Sequence, residues 1–137
     1  MLSLRSLSKR YGATWAVHEV SLELFRGEAL VLLGPSGSGK TTLMKMLAGL
    51  EIPIAGQVWV DGREMPSIPP YRRGLGMVFQ NYALFPHMRV KDNVAFPLRM
   101  RREWKPRQVE KPVLDILHLV QLEDYLERFP HQLSGGQ

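Results

Sequence analysis

Apolar and polar residues alternate in several stretches of the chain, a pattern typical of β-strands that are buried on one face. The alternation runs over residues 2–5 and again over 19–24, and it predicts two half-buried strands. Residues 29–33 are apolar at every position, which predicts a strand buried on both faces. Two more strands are predicted at 57–60, before an Asp-Gly turn, and in the apolar run at 75–79.

Elsewhere the apolar spacing is helical. Leucines at i, i+4 and i+7 predict a helix over residues 40–48 that ends near Gly49. Residues 66–70 are predicted to form a loop. A second helix is predicted over 90–102, kinked or interrupted by its internal proline, and a short helix over 123–128. Between them lies a third helix, whose apolar face consists of Val113, Leu114, Leu117 and Val120.

Composition limits the classes of protein that fit. The chain has 137 residues, 45% of them apolar, which is enough for a buried core and suits one domain or a large piece of one. The net charge of +5 suits nucleic acid, a membrane surface or a polyanionic ligand, although on charge alone a solvated basic surface is the favoured explanation. The absence of cysteine excludes disulfides and thiolate metal sites. Without a signal-peptide pattern or an apolar run of about 20 residues, the expected location is the cytoplasm.

A glycine-rich segment with the spacing of a phosphate-binding loop follows the apolar run at 29–33. The glycines let successive N–H groups point at phosphate oxygens, and the following helix directs its positive end at the anion. Lys40 would neutralise the β- and γ-phosphates of ATP, and the Thr41 hydroxyl would bind Mg²⁺. A chance turn before a helix is the alternative, but a buried strand on one side and an amphipathic helix on the other favour the loop. The predicted nucleotide contacts are Gly34, Pro35, Ser36, Gly37, Ser38, Gly39, Lys40, Thr41 and Thr42.

Three further features make the pattern specific. The chain ends on Leu-Ser-Gly-Gly-Gln at 133–137, Gln80 follows the apolar run at 75–79, and Tyr11 follows the first predicted strand. With the phosphate loop, and in this order, they resemble the ATP-binding subunit of an ATP-binding cassette (ABC) transporter. The resemblance covers the whole chain. It implies an α/β P-loop NTPase core, here truncated, with a small antiparallel β-subdomain and part of an α-helical subdomain.

The resemblance also assigns roles to these residues. Tyr11 would stack on the adenine ring, and Gln80 would act in catalysis by approaching Mg²⁺ and the attacking water. The signature residues would contact the γ-phosphate of ATP bound by a second ATP-binding subunit, in a head-to-tail dimer that holds two nucleotides. These signature residues are Ser134, Gly135, Gly136 and Gln137.

The segments 80–88 and 93–99 resemble ABC importers of the sugar, polyamine, iron and sulfate group, and 120–123 and 130–132 resemble spermidine and putrescine importers most. A polyamine is therefore the favoured solute. The apolar residues within 80–88 form either local core or, as the resemblance favours, a socket for the transmembrane permease subunit. A solute-binding protein outside the membrane would be an indirect partner. The chain would lie on the inner face of the cell membrane.

Nucleic acid is not an expected partner. Basic residues dominate 99–111, but no stacking platform or reading-helix pattern accompanies them. A solvated helix face is the preferred interpretation, with contact to lipid headgroups as an alternative.

Residues 1–137 are interpreted as the N-terminal part of an ABC ATP-binding domain, with the nucleotide-binding core at about 1–80 and the glutamine loop and helical subdomain at about 80–137. Beyond the signature the family carries a Mg²⁺-binding aspartate, a catalytic glutamate and a loop histidine. The 137 residues include none of these, so we expect ATP binding without efficient hydrolysis, from a truncated product or a partial sequence. The alternatives are a non-hydrolysing interaction fragment and a soluble ABC ATPase of DNA repair or translation.

Overall fold

The chain folds into two units, Met1–Met77 and Val78–Gln137. The computed structural model describes residues 1–65, 68–101 and 104–137, without the side chain of residue 106. The predicted loop at 66–70 and the predicted helix end at 102 fall partly or wholly outside these residues. Among the described residues, no helix has both the length and the apolar composition needed to cross a bilayer.

The first unit is built on a four-stranded antiparallel sheet. Its strands are β1 (Leu2–Tyr11), β2 (Thr14–Leu24), β3 (Ala55–Val60) and β4 (Arg63–Glu64), in the order β2-β1-β3-β4. The alternating patterns at 2–5, 19–24 and 57–60 lie within β1, β2 and β3, so these predicted strands are confirmed, and each is longer than predicted.

Two serine hydroxyls support irregular pairing between β1 and β2. The register shifts between Leu4 and Leu7, and Ser6 and Glu19 have positive φ angles of 47° and 50°. The Ser21 hydroxyl accepts a hydrogen bond from the Ser6 N–H, and the Ser8 hydroxyl accepts one from the Glu19 N–H, each at 2.8 Å. The hydroxyls satisfy N–H groups that lose a ladder partner at a bulge.

One helix, α1 (Lys40–Ala48), covers this sheet and agrees with its predicted range. Gly49 ends it in the left-handed conformation, with a φ of 79°, and its N–H bonds to the Met46 carbonyl. Leu43 and Met46 bury their side chains in the core of the unit. The other buried members of that core are Leu4, Leu7, Val17, Val58 and Met65.

The strands predicted at 29–33 and 75–79 are wrong, since neither segment has strand structure. Val31 is 72% exposed, Leu33 is 88% exposed and Val78 is 90% exposed. A strand buried on both faces needs neighbouring strands to complete its hydrogen bonds. The sheet of the described residues contains only β1 to β4, and it offers neither segment such a neighbour.

The second unit is helical. It contains α2 (Val90–Arg99) and α3 (Pro106–Leu119), which pack around a core of their own. The helix predicted over 90–102 is confirmed except at its end, and it continues through Pro97 for two more residues. The short helix predicted at 123–128 is a 3-10 turn over Glu123–Tyr125, and a second 3-10 turn follows at Pro130–Gln132.

An ion-pair cluster ties the start of α2 to the following turns. Lys91 and Arg89 both bind the carboxylate of Glu127. Hydrogen bonds from Lys91 and Arg89 hold the pKa of the Glu127 carboxyl below its ordinary value. The backbone carbonyls of Arg128 and Leu126 accept hydrogen bonds from the N–H groups of Val90 and Lys91.

Candidate functional site

The phosphate-loop residues line one side of a pocket of about 600 Å³ in the first unit. Residues of β2, residues that precede the loop and Leu43 of α1 complete the lining. The lining residues are Ala16, Val17, His18, Val20, Val31, Leu32, Leu33, Gly34, Pro35, Ser38, Gly39, Lys40 and Leu43. The structure thus brings five of the predicted phosphate-binding residues into one concave surface.

Lys40 supplies the positive charge of this pocket. Its half-buried side chain curls back over the loop, and Nζ donates to the carbonyls of Gly34 at 2.8 Å and Pro35 at 2.7 Å. A third contact joins Nζ to the Ser38 hydroxyl at 3.1 Å. All three acceptors are neutral, whereas a phosphate oxygen carries negative charge and adds Coulomb attraction to its hydrogen bond with the ammonium. A phosphate oxygen could therefore replace them favourably.

The start of α1 is suited to an anion. Gly39 is the N-cap residue, and as a glycine it has no side chain to satisfy the first N–H groups of the helix. The first turn carries no acidic residue, so no carboxylate competes for the positive end of the helix dipole. A triphosphate fits both observations. The exposed hydroxyl of Thr41 in the same turn is a hard oxygen ligand of the kind that Mg²⁺ prefers.

Only glycine is compatible with the position of residue 39. Its φ angle is 89°, and a Cβ built there would lie 2.0 Å from the carbonyl oxygen of Ala16. The loop therefore makes direct backbone contact with β2 where α1 begins.

Sequence reasoning missed the contribution of β2 to this pocket. Four residues of β2 line it: Ala16, Val17, His18 and Val20. Val17 and Val20 also pack in the core of the first unit, and the positive φ of Glu19 interrupts the strict alternation of the strand between them. Because the pairing of β2 is irregular here, the period-2 pattern of apolar and polar residues offered no signal for these residues.

Tyr11 lies at the end of β1, next to the turn into β2, and is 48% exposed. It does not line the pocket that holds Lys40. The Lys9 ammonium lies 5.3 Å from the centre of its ring and 2.9 Å from the carboxylate of Glu51. Hydrogen bonding to Lys9, and then to Tyr11, keeps the pKa of Glu51 below its ordinary value. The adenine-stacking role of Tyr11 stays a prediction.

Gln80 and the signature residues belong to the second unit. Gln80 is exposed at the start of a turn-rich segment. Ser134–Gln137 forms a turn in which the Gln137 N–H donates to the Ser134 carbonyl at 3.0 Å, and the Ser134 N–H donates to the Gln137 side-chain carbonyl at 3.0 Å. Ser134 and the two glycines after it are exposed. Their predicted nucleotide contacts also stay predictions.

Sequence reasoning also missed Asn93, which fixes the segment that follows Gln80. Its amide nitrogen donates to the carbonyls of Phe85, Met88 and Arg89 at 3.1, 3.1 and 3.2 Å. Its side-chain carbonyl accepts a bond of 2.8 Å from the Phe85 N–H. An asparagine in the first turn of a predicted helix was the available signal, since such side chains bond to nearby backbone.

Comparison with known proteins agrees with the fold. The ABC transporter family profile matches residues 17–137. The spermidine/putrescine import ATP-binding protein PotA of Nitrosospira multiformis is 49% identical over the whole chain, which covers 38% of that protein. The putrescine transport ATP-binding protein PotG of Escherichia coli is 47% identical, with 36% of its length covered. The alpha-glucoside transport ATP-binding protein AglK of Rhizobium meliloti is 46% identical over 99% of the chain, which covers 37% of that protein.

Two solved structures of the bacterial ABC transporter cassette MJ0796 share the fold. Both are dimeric, and the second is a post-hydrolysis state bound to ADP and Pi. They are 31% and 30% identical to the chain, each with a TM-score of 0.86. Each comparison covers 100% of this chain and 65% of the cassette. The predicted α/β cassette fold is thereby confirmed. The chain spans well under half the length of the curated relatives named above. By sequence and by fold, the chain belongs to the ABC transporter family.

Proposed function

We propose that this chain binds Mg²⁺·ATP through its phosphate loop and is the ATP-binding part of an ABC importer, where ATP binding and hydrolysis drive uptake of a small solute. One observation carries the proposal. The Lys40 ammonium lies in a pocket at the start of α1, on neutral oxygens that a phosphate can replace.

Different residues of the loop would bind different parts of Mg²⁺·ATP. Lys40 leaves its carbonyl partners and pairs with the β- and γ-phosphates, while the first N–H groups of α1 donate to phosphate oxygens. The Thr41 hydroxyl would bind the metal, and Thr42 in the same turn would contact the nucleotide. When bound, Mg²⁺ supplies further neutralisation of the phosphate charge.

Partners follow from the family and from exposed surfaces. A second ATP-binding subunit would pair head to tail with this one through the signature turn, and the dimeric cassette of the same fold supports this arrangement. The transmembrane permease would bind the segment 80–88, where Tyr82 is 65% exposed and Leu84 is 49% exposed. A solute-binding protein would deliver the solute to that permease. The chain would act on the inner face of the cell membrane.

A polyamine is the favoured solute because relatives named for spermidine and putrescine import match the whole chain. An α-glucoside is the second candidate, because a relative named for that transport is nearly as similar. Disruption of the gene that encodes this chain, followed by uptake of labelled putrescine, spermidine and maltose, separates the two. Loss of polyamine uptake alone supports the first, and loss of maltose uptake alone overturns it.

Nucleotide binding is tested by isothermal titration of the purified chain with Mg²⁺·ATP. The Lys40→Ala variant should bind roughly 10–100-fold more weakly, the equivalent of a charged hydrogen bond worth about 1.5–3 kcal/mol. Lys45→Ala is the matched control, since Lys45 lies in the last turn of the same helix and does not line the pocket. Equal affinity of the Lys40 and Lys45 variants would refute the proposal.

Turnover is a separate question from binding. The same preparations are assayed for phosphate release. Release by the wild-type chain at the rate of Lys40→Ala would favour a chain that binds ATP without cleaving it. A rate well above that of Lys40→Ala would contradict our expectation of inefficient hydrolysis.

A further inference from the structure

Arg73 holds the end of α1 that lies opposite the phosphate loop. It directly follows a 3-10 turn at Pro70–Arg72. Its Nη1 donates to the carbonyls of Met46 at 3.1 Å and Leu47 at 2.9 Å, and its Nε donates to the carbonyl of Ile68 at 2.9 Å. One guanidinium therefore joins the last turn of α1 to the segment between β4 and the 3-10 turn.

The guanidinium also packs on the backbone where α1 ends. A Cβ built on Gly49 would lie 2.3 Å from Nε of Arg73 and 2.5 Å from its Cζ. The absence of a side chain at residue 49 is what allows this approach. Gly49 therefore has two structural roles: it ends the helix in the left-handed conformation, and its missing side chain leaves room for the Arg73 guanidinium.

The position is electrostatically favourable. The last carbonyls of a helix have no partners within the helix, and they form the negative end of its dipole. Arg73 supplies both hydrogen-bond donors and a positive charge there. Partial burial lowers the pKa of the Arg73 guanidinium, and the carbonyl oxygens compensate for the lost water.

We propose that Arg73 is a positioning residue for the nucleotide site: by clamping the C-terminal end of α1, it fixes the direction in which the helix presents Lys40 and its first N–H groups. This inference rests on the proposed function. The nine-residue helix is about 13 Å long, so a tilt at one end displaces the other. The N-terminal end is fixed by the contact of Gly39 with Ala16, and Arg73 supplies the second fixed point.

The test compares Arg73→Met, Arg73→Lys and the matched control Arg72→Met. Arg72 is exposed, and its guanidinium lies 5.5 Å from the ring centre of Tyr71. Affinities for ATP and for AMP are measured by competition against a fluorescent ATP analogue on the complete chain, at a temperature where circular dichroism shows each variant folded. AMP lacks the β- and γ-phosphates, so its affinity reports the rest of the site.

We expect Arg73→Met to weaken ATP binding roughly tenfold, the equivalent of about 1.4 kcal/mol, while AMP binding stays within about twofold of the wild type. Arg73→Lys keeps the charge but loses the planar fork, so it should recover part of the loss. Arg72→Met should behave as the wild type. If Arg73→Met does not fold, Arg73→Lys carries the test, with an expected loss of about threefold for ATP only.

An equal loss for ATP and AMP would reduce Arg73 to a general structural role and overturn the inference. Unchanged ATP affinity in Arg73→Met, beside a large loss in Lys40→Ala, would overturn the inference and leave the proposed function standing. A wild-type chain that binds no ATP would overturn both.

Discussion

The contact between Gly39 and β2 predicts that alanine at residue 39 destabilises the first unit well beyond the effect of an ordinary loop substitution. Two costs combine. The left-handed φ of 89° costs an L-residue about 1–2 kcal/mol. The added methyl group would also lie 2.0 Å from the Ala16 carbonyl oxygen, which must move by more than an ångström. Relief of such overpacking costs about 1–3 kcal/mol.

Gly37→Ala is the control that separates these costs. Gly37 belongs to the same loop and has a similar φ of 81°, but a Cβ built there has no heavy atom within 4 Å. It should carry the conformational cost alone. Gly39→Ala is therefore expected to lose about 2–5 kcal/mol and Gly37→Ala about 1–2 kcal/mol. A total stability of about 5–15 kcal/mol for an ordinary domain makes that difference large.

The assay is urea unfolding followed by tryptophan fluorescence. The chain has three tryptophans, and a Trp104→Phe background leaves Trp15 and Trp59, both in the first unit. The free energies of unfolding of Gly39→Ala and Gly37→Ala are compared in that background. Equal values would show that the close approach to Ala16 has no energetic consequence, and the reasoning would be refuted.

Three more predictions concern single side chains. Leu7→Ala should cost about 2–5 kcal/mol because Leu7 is 0% exposed. Leu33 is 88% exposed, so Leu33→Ala should change stability by less than about 0.5 kcal/mol. Urea unfolding of the first unit measures both, and similar losses would contradict the assigned core. Asn93→Asp places a carboxylate against three carbonyl oxygens and should lower the stability of the second unit by about 1–3 kcal/mol. Urea unfolding followed by Trp104 fluorescence measures this loss, and an unchanged unfolding midpoint would contradict it. The depressed pKa of Glu127 contributes stability above the ordinary glutamate pKa of about 4.3, and that contribution is lost as the pH falls through the folded value. Wild type should thus exceed Glu127→Gln in stability at neutral pH only, and a gap that persists in strong acid would contradict this.

The features predictable from the sequence are those set by neighbours along the chain. The helix Lys40–Ala48 and its end at Gly49 follow from apolar period and from a glycine that can adopt a positive φ. The phosphate loop follows in the same way from glycine spacing between apolar segments. Contacts across the chain were not predictable. The sequence does not indicate whether Arg72 or Arg73 turns inward. The guanidinium of Arg73 does so because it binds backbone carbonyls of α1 that lie 26 and 27 residues away in the chain.

The strand predicted at 29–33 failed for a related reason. An all-apolar run specifies burial, but burial on two faces needs partner strands that the run itself cannot supply. Leu32 does pack against the core of the first unit, while Val31 and Leu33 beside it remain exposed. The side chains of 31–33 therefore alternate between exposed and packed, as in a strand, although the segment forms no strand-to-strand hydrogen bonds.

This failure leaves the phosphate loop intact because the loop is anchored from the other side. In the sequence, a predicted buried strand before the loop was part of the support for the loop. In the structure, the start of α1 rests on β2 instead, where Gly39 meets the Ala16 carbonyl and Leu43 packs in the same core as Val17. Lys40 then closes the loop on itself through the carbonyls of Gly34 and Pro35. Since these contacts lie within β2, the loop and α1, the geometry of the loop does not depend on residues 29–33 forming a strand.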